Sequence, residues 1–145
     1  MYDHLNNSIY SFLYAPREPV TFFTYAEAIR HSFDSIINTY LIQHCGLHPP
    51  TSKQVGLVVH SHCDFFGSVA FPTLVDLGLR VNKLGKSSVT YEIAVFERGA
   101  EDVRAVGGFI HVFVDKEKNR PGANGMSGEI RAGLERLLAK EPSKL

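Results

Sequence analysis

Residues 74–97 read LVDLGLRVNKLGKSSVTYEIAVFE. Val75, Leu77, Leu79 and Val81 alternate with Asp76, Gly78, Arg80 and Asn82, and Val89, Tyr91, Ile93 and Val95 repeat the pattern. Side chains on a strand point to opposite faces in turn, so each run predicts a strand with one apolar face. Leu84-Gly85-Lys86 between them is a short connection, and short connections pair strands antiparallel.

Outward from this hairpin the period of two continues. In VRAVGGFIHVFVD (103–115), Val106, Gly108, Ile110, Val112 and Val114 share one face, after the short connection Arg98-Gly99-Ala100. In VGLVVHSHCDFF (55–66), Val55, Leu57, Val59, Ser61 and Cys63 share one face. Helical spacing takes over on both sides. FDSIINTYLIQHC (33–45) places Phe33, Ile36, Ile37, Tyr40, Leu41 and His44 on one stripe, and Gly46 then Pro49-Pro50 stop it. SGEIRAGLERLLAK offers Ser127 as a cap, with Ile130, Leu134, Leu137 and Leu138 on one face. NSIYSFL (7–13) reads as a further helical stretch capped by Asn6. The expected class is α+β, one domain over residues 1–145, with a helix covering one face of an antiparallel meander.

The chain has 145 residues, 44% of them hydrophobic, which suits one compact domain. Fifteen Lys+Arg balance fifteen Asp+Glu, so charge gives no case for nucleic acid or an anionic membrane. No run reaches the roughly 18 apolar residues of a membrane span. Cys45 and Cys63 are too few for a disulfide framework and read as buried thiols. The expected compartment is the cytoplasm, leaving open a targeting segment upstream of Met1 in a longer form.

The first ten residues, MYDHLNNSIY, crowd hydrogen-bonding groups together. The box D-H-L-N-N-x-x-Y, the F-D pair opening the long helix, the run CDFFGSVAFPTLVDLGLRVNKLGKSSVTYEIAVFE and, within it, LGKSSVTYEI (84–93) resemble the hotdog-fold acyl-CoA thioesterases of the 4-hydroxybenzoyl-CoA thioesterase-like family. The resemblance covers residues 1–13 and 33 to about 121. It implies a long helix wrapped by an antiparallel sheet, a homodimer or homotetramer, and an acyl-CoA thioester held between subunits. Coenzyme A enters as part of the substrate, with no other cofactor. The family's carboxylate, four positions before the box His, acts as general base or nucleophile, and backbone N–H groups near the long helix's N-terminus polarise the carbonyl.

Against that pattern the box Gly is Asp3, the carboxylate position falls before Met1, and the first strand is expected to be missing. Residues 14–32, with Pro16 and Pro19, read as an insertion that bulges from an otherwise continuous helix. The chain therefore reads as an N-terminally truncated member with impaired hydrolysis. The alternative is a catalytically silent subunit that binds acyl-CoA or a partner subunit, and a weaker one is an unrelated α+β binding domain.

Thioester hydrolysis needs an activated water or a carboxylate nucleophile, with donors aimed at the oxyanion. The catalytic candidates are Asp3, His4, Asn6 and Asn7; plain helix capping by Asn competes with them. Tyr10, Phe66, Gly67 and Ser68 are the substrate-lining candidates, against a simple interstrand loop for the last three. Asp34 reads as a helix-surface or interface charge, and Asp64 as a lesser carboxylate candidate. Arg80, Lys83 and Lys86 read as scattered surface cations sooner than as coenzyme A phosphate ligands. His60 and His62 share a strand face, as metal ligands can, but two ligands without a third define no zinc site. His44 and His48 straddle Gly46, outside any HExxH helix, so no metal ligand is assigned.

Overall fold

The computed structural model of the chain describes residues 9–14, 22–67, 73–100 and 102–138. Among these the elements run β1 (Ile9–Tyr14), α1 (Phe22–His44), β2 (Gln54–Phe65), β3 (Thr73–Leu84), β4 (Ser88–Glu97), β5 (Val103–Asp115) and α2 (Gly128–Glu135). The strands form one antiparallel sheet in the order β1-β3-β4-β5-β2, so β1 and β2 are its edges. The three strands expected to be neighbours are β3, β4 and β5, in that order. Their helix-facing residues line up across the sheet: Leu77 opposite Val95, Leu79 opposite Ile93, Val81 opposite Tyr91.

Helix α1 lies over that face. Phe33, Ile36, Ile37, Tyr40 and Leu41 are buried in one cluster with Val75, Leu77, Leu79, Val81, Tyr91, Ile93 and Val95. Phe33 stacks edge-on to Phe109, centroids 6.0 Å apart, and its ring fills the space that a Cβ on Gly107 would need. The helix ends at Gly46, whose φ of 70° suits glycine, and Leu47 N–H returns to Leu41 O. Ser127 caps α2 by accepting from Ile130 N. Tyr40 Oη donates to Gly133 O at 2.6 Å, and Arg136 donates to His44 O at 2.7 Å, which dock α2 on the end of α1.

The structure corrects several expectations. Residues 9–13, expected within a helix, and Tyr14, expected to open the insertion, form β1 paired with β3. Ile9, Tyr10, Phe12 and Tyr14 favour extended backbone, and six residues are too few for a helix to hold without packing. Residues 22–32, expected to bulge out as part of an insertion, are the first turns of α1. The stretch 22–44 contains no Gly or Pro, and Ala26, Glu27, Ala28 and Arg30 favour helix.

On β5 the helix-facing residues are Ala105, Gly107, Phe109, His111 and Phe113, the opposite set to the one expected. Val106 instead joins Ala94 in a small cluster on the outer face. On β2 a bulge between Val58 and His60 breaks the alternation. Val55 and Leu57 stand opposite the outer-face residues Val114 and Val112, whereas Ser61 and Cys63 stand opposite Phe109 and Gly107 on the helix side.

Candidate functional site

The box residues Asp3, His4, Asn6 and Asn7 and the loop residue Ser68 lie outside the described residues. Tyr10 is on β1, at the register position opposite Leu77. Phe66 and Gly67 follow β2, and both backbone N–H groups donate to Arg104 O, at 2.8 and 3.2 Å. Phe66 is 60% exposed. The Arg104 guanidinium lies against Gly67, with Nη1 2.9 Å from where a Cβ would stand. Tyr10 and the end of β2 fall on one transverse row at opposite edges, through Leu77, Val95, Ala105 and Phe65. Four strand spacings are on the order of 19 Å, so one chain does not bring Tyr10 and Phe66 together.

Residues the sequence did not single out complete the picture. The first turn of α1, from Phe22, leaves its N–H groups without helical acceptors and carries no acidic residue to neutralise the positive end of the helix dipole. Such a turn can polarise a carbonyl. The uninterrupted helix-permissive run after Pro19 was the signal for it. Between α1 and the sheet, His111 is 2% exposed and neither ring nitrogen has a hydrogen-bond partner among the described residues. Burial lowers its pKa to about 4, against a smaller opposing pull from the Asp34 carboxylate. The Tyr91 hydroxyl is also buried without a hydrogen-bond partner among the described residues, and burial pushes its pKa far up. Its ring meets His111 edge-on at 5.2 Å. Asp34 itself is half-buried on α1, and Asp64 is exposed on β2.

Arg80, expected at the surface, is buried on the outer face in an ion pair with Glu92, its register partner on β4; Lys83 and Lys86 are exposed. A cleft of about 360 Å³ opens beside Cys45, Leu47, Gln54, Asp115, Glu129 and Ile130. It sits at the carboxyl end of α1, and a 23-residue helix places it roughly 34 Å from the turn at Phe22. Burial pushes the Cys45 thiol there up to about 11, so it is no ready nucleophile. Among the described residues no helix is long and apolar enough to cross a membrane.

Residues 21–103, more than half of the chain, match the thioesterase superfamily. The chain belongs to that superfamily. A protein of Pseudomonas aeruginosa strain PAO1 is 36% identical, with 91% of this chain and 93% of that one covered and a TM-score of 0.80. Two solved structures share the fold at low identity. A Staphylococcus aureus protein in complex with CoA is 6% identical, covering 94% of this chain and 87% of that one at a TM-score of 0.79. A 1,4-dihydroxy-2-naphthoyl-CoA thioesterase from Synechocystis is 10% identical, covering 90% and 96% at 0.69. None of the curated proteins matches the chain. The superfamily match runs straight through residues 22–32, as the continuous helix does.

Proposed function

We propose that this thioesterase-superfamily chain hydrolyses thioesters of coenzyme A, as a homodimer joined along β2. The superfamily match over residues 21–103 carries the reading, and the solved relatives named for CoA and for a naphthoyl-CoA substrate support the choice of thioester. Water attacks the thioester carbonyl, the carbon–sulfur bond breaks, and a carboxylic acid and coenzyme A thiol leave. The first turn of α1 stabilises the oxyanion, the box Asp3-His4-Leu5-Asn6-Asn7 contributes polar groups, and Phe66, Gly67 and Ser68 line the acyl group. Turnover is expected to be slow, because Asp3 stands one residue before His4 instead of four.

The edge strand supports the homodimer. Residues 54–63 carry no charge and no proline, the usual devices that keep edge strands apart. Leu57, Val58 and Val59 are 40, 45 and 59% exposed. The bulge also makes the strand self-complementary. Read from either end, Gln54–Phe65 gives the same sequence of helix-side and outer positions: Gln54 matches Phe65, Val55 matches Asp64, Gly56 matches Cys63, Leu57 matches His62 and Val58 matches Ser61. Two copies can therefore pair antiparallel over the full strand with like faces together. A twelve-residue strand without the bulge would place every inward residue opposite an outward one.

The test is release of coenzyme A thiol from a panel of acyl-CoA thioesters, with light scattering on the same sample. Slow hydrolysis by a two-chain particle supports the reading. Vigorous hydrolysis lost by two to four orders of magnitude in Asp3→Asn would instead make Asp3 the attacking or water-activating carboxylate. Acyl-CoA binding without turnover would mark a silent subunit, and neither binding nor turnover would refute the proposal.

A further inference from the structure

Arg104 is the extra residue of a bulge. The β4–β5 ladder steps from Val95 opposite Ala105 to Phe96 opposite Val103, so Arg104 has no register partner on β4. Its backbone belongs instead to the end of β2, where its carbonyl accepts from both Phe66 N and Gly67 N. Bulges re-aim side chains. This one brings the Arg104 side chain against Gly67, with Nη1 2.9 Å and Cδ 3.4 Å from where a Cβ at Gly67 would stand. A side chain there would press on the guanidinium.

Two other arginines of the sheet are matched by carboxylates: Arg98 pairs with Asp76 at 2.9 Å, and Arg80 pairs with Glu92. Arg104 is half-buried and forms no ion pair among the described residues. Its Nε is buried without a hydrogen-bond partner among them. Asp64, opposite the neighbouring Val106, and Asp102, two residues earlier in the chain, do not pair with it. Packing thus holds the stem of the side chain, while the fork of donors at its end meets no acid of this chain. A guanidinium in that state suits a carboxylate or phosphate from outside, which it can meet through two parallel hydrogen bonds.

We propose that Arg104 binds an oxyanion of the substrate, away from the reacting carbonyl, through its Nη groups. The inference rests on the reading above, in which Phe66 and Gly67 line the ligand. A thioester of coenzyme A offers this chemistry from two sources. One is a carboxylate at the far end of the acyl group, as in the monothioester of a diacid. The other is a phosphate of coenzyme A itself. From either source Arg104 holds and orients the substrate and takes no part in breaking the carbon–sulfur bond. Affinity and KM therefore depend on it, and kcat does not.

The experiment measures binding of glutaryl-CoA, butyryl-CoA and S-butyryl-pantetheine to the full chain by calorimetry, with thiol release followed on the same samples. Glutaryl-CoA carries both kinds of oxyanion, butyryl-CoA carries the phosphates alone, and the pantetheine thioester carries neither. Arg104→Gln should weaken the ligands that bear the recognised oxyanion by roughly ten- to hundredfold and leave the others, and kcat, unchanged. A loss confined to glutaryl-CoA assigns the acyl carboxylate. An equal loss for both coenzyme A thioesters, with none for the pantetheine thioester, assigns a phosphate. Arg104→Lys keeps the charge without the fork and should recover part of the loss; it also carries the test should Arg104→Gln fail to fold. Equal affinities in wild type and variant, or the same loss for all three ligands, overturn the role of Arg104 and leave the thioesterase reading standing. A wild type that binds none of the three overturns both.

Discussion

Replacing His111 by Leu should remove most of a pH dependence that the folded chain owes to this one ring. His111 is 2% exposed, between Tyr91 and Phe113, and its folded pKa is about 4 against 6.5 for a free imidazole. The unfolded chain therefore takes up a proton more readily than the folded one. Above pH 6.5 the ring is neutral in both states and its full contribution is present. As pH falls from 6.5 toward 4 the unfolded state gains the proton and stability declines, and below about 4 the loss is complete. At 1.36 kcal/mol per pH unit, the whole window removes about 3 kcal/mol, and a fall to pH 5 about 2 kcal/mol.

The assay is urea unfolding of the wild type and His111→Leu at pH 7.5 and 5.0. Leu is close to His in volume, and neither ring nitrogen has a partner to lose, so the substitution should be neutral or stabilising at pH 7.5. The drop between the two pH values should be smaller in the variant by about 2 kcal/mol. Titrating groups that do not interact with His111 act in both proteins and cancel in the difference. Equal drops would refute the reasoning. So would a loss of more than about 2 kcal/mol in the variant at pH 7.5, which would mean the ring is hydrogen-bonded after all.

Gly107→Ala puts a methyl into the Phe33 ring and should cost about 1–3 kcal/mol in urea unfolding; an unchanged midpoint would mean that α1 does not rest there. Glu92→Leu removes one carboxylate partner of the buried Arg80 guanidinium and should cost about 1.5–3 kcal/mol in urea unfolding, and a double-mutant cycle with Arg80→Leu should show the two residues coupled.

The legible parts of the fold were those where one strand face is apolar and the other is not. Val75 to Val81 and Val89 to Val95 alternate cleanly, and every expected inward residue is 0–1% exposed. β5 is a central strand with apolar residues on both faces, so alternation cannot choose between Val106-Val112-Val114 and Ala105-Phe109-Phe113. Only the neighbours decide: Gly107 is the position low enough for Phe33 to cross. The bulge in β2 is a property of its pairing with β5, and VGLVVHSHC carries no local mark of it. The amino-terminal segment misled for a different reason. Pro16 and Pro19 suggested foreign material inside a helix, when they precede a helix that starts at Phe22. Phe66 and Gly67 were named by resemblance alone, whereas His111 lay hidden because a histidine in an apolar run looks the same whether it faces helix or solvent.

The docking of α2 sets an order on how this domain is assembled during synthesis. Tyr40 Oη waits for Gly133 O, 93 residues later, and His44 O waits for Arg136, 92 residues later. The Gln54 side chain likewise accepts from Ser127 N and donates to Gly125 O, across 73 and 71 residues. Until the ribosome releases residues 125–136, the carboxyl end of α1 lacks the acceptor and the donor that α2 brings. The sheet and α1 can assemble first, from pairings already emerged, but the nascent domain stays unlatched at that end until α2 arrives. The same lateness makes α2 the clasp whose release would reopen the molecule from its carboxyl end, a route that spares the β-sheet until last.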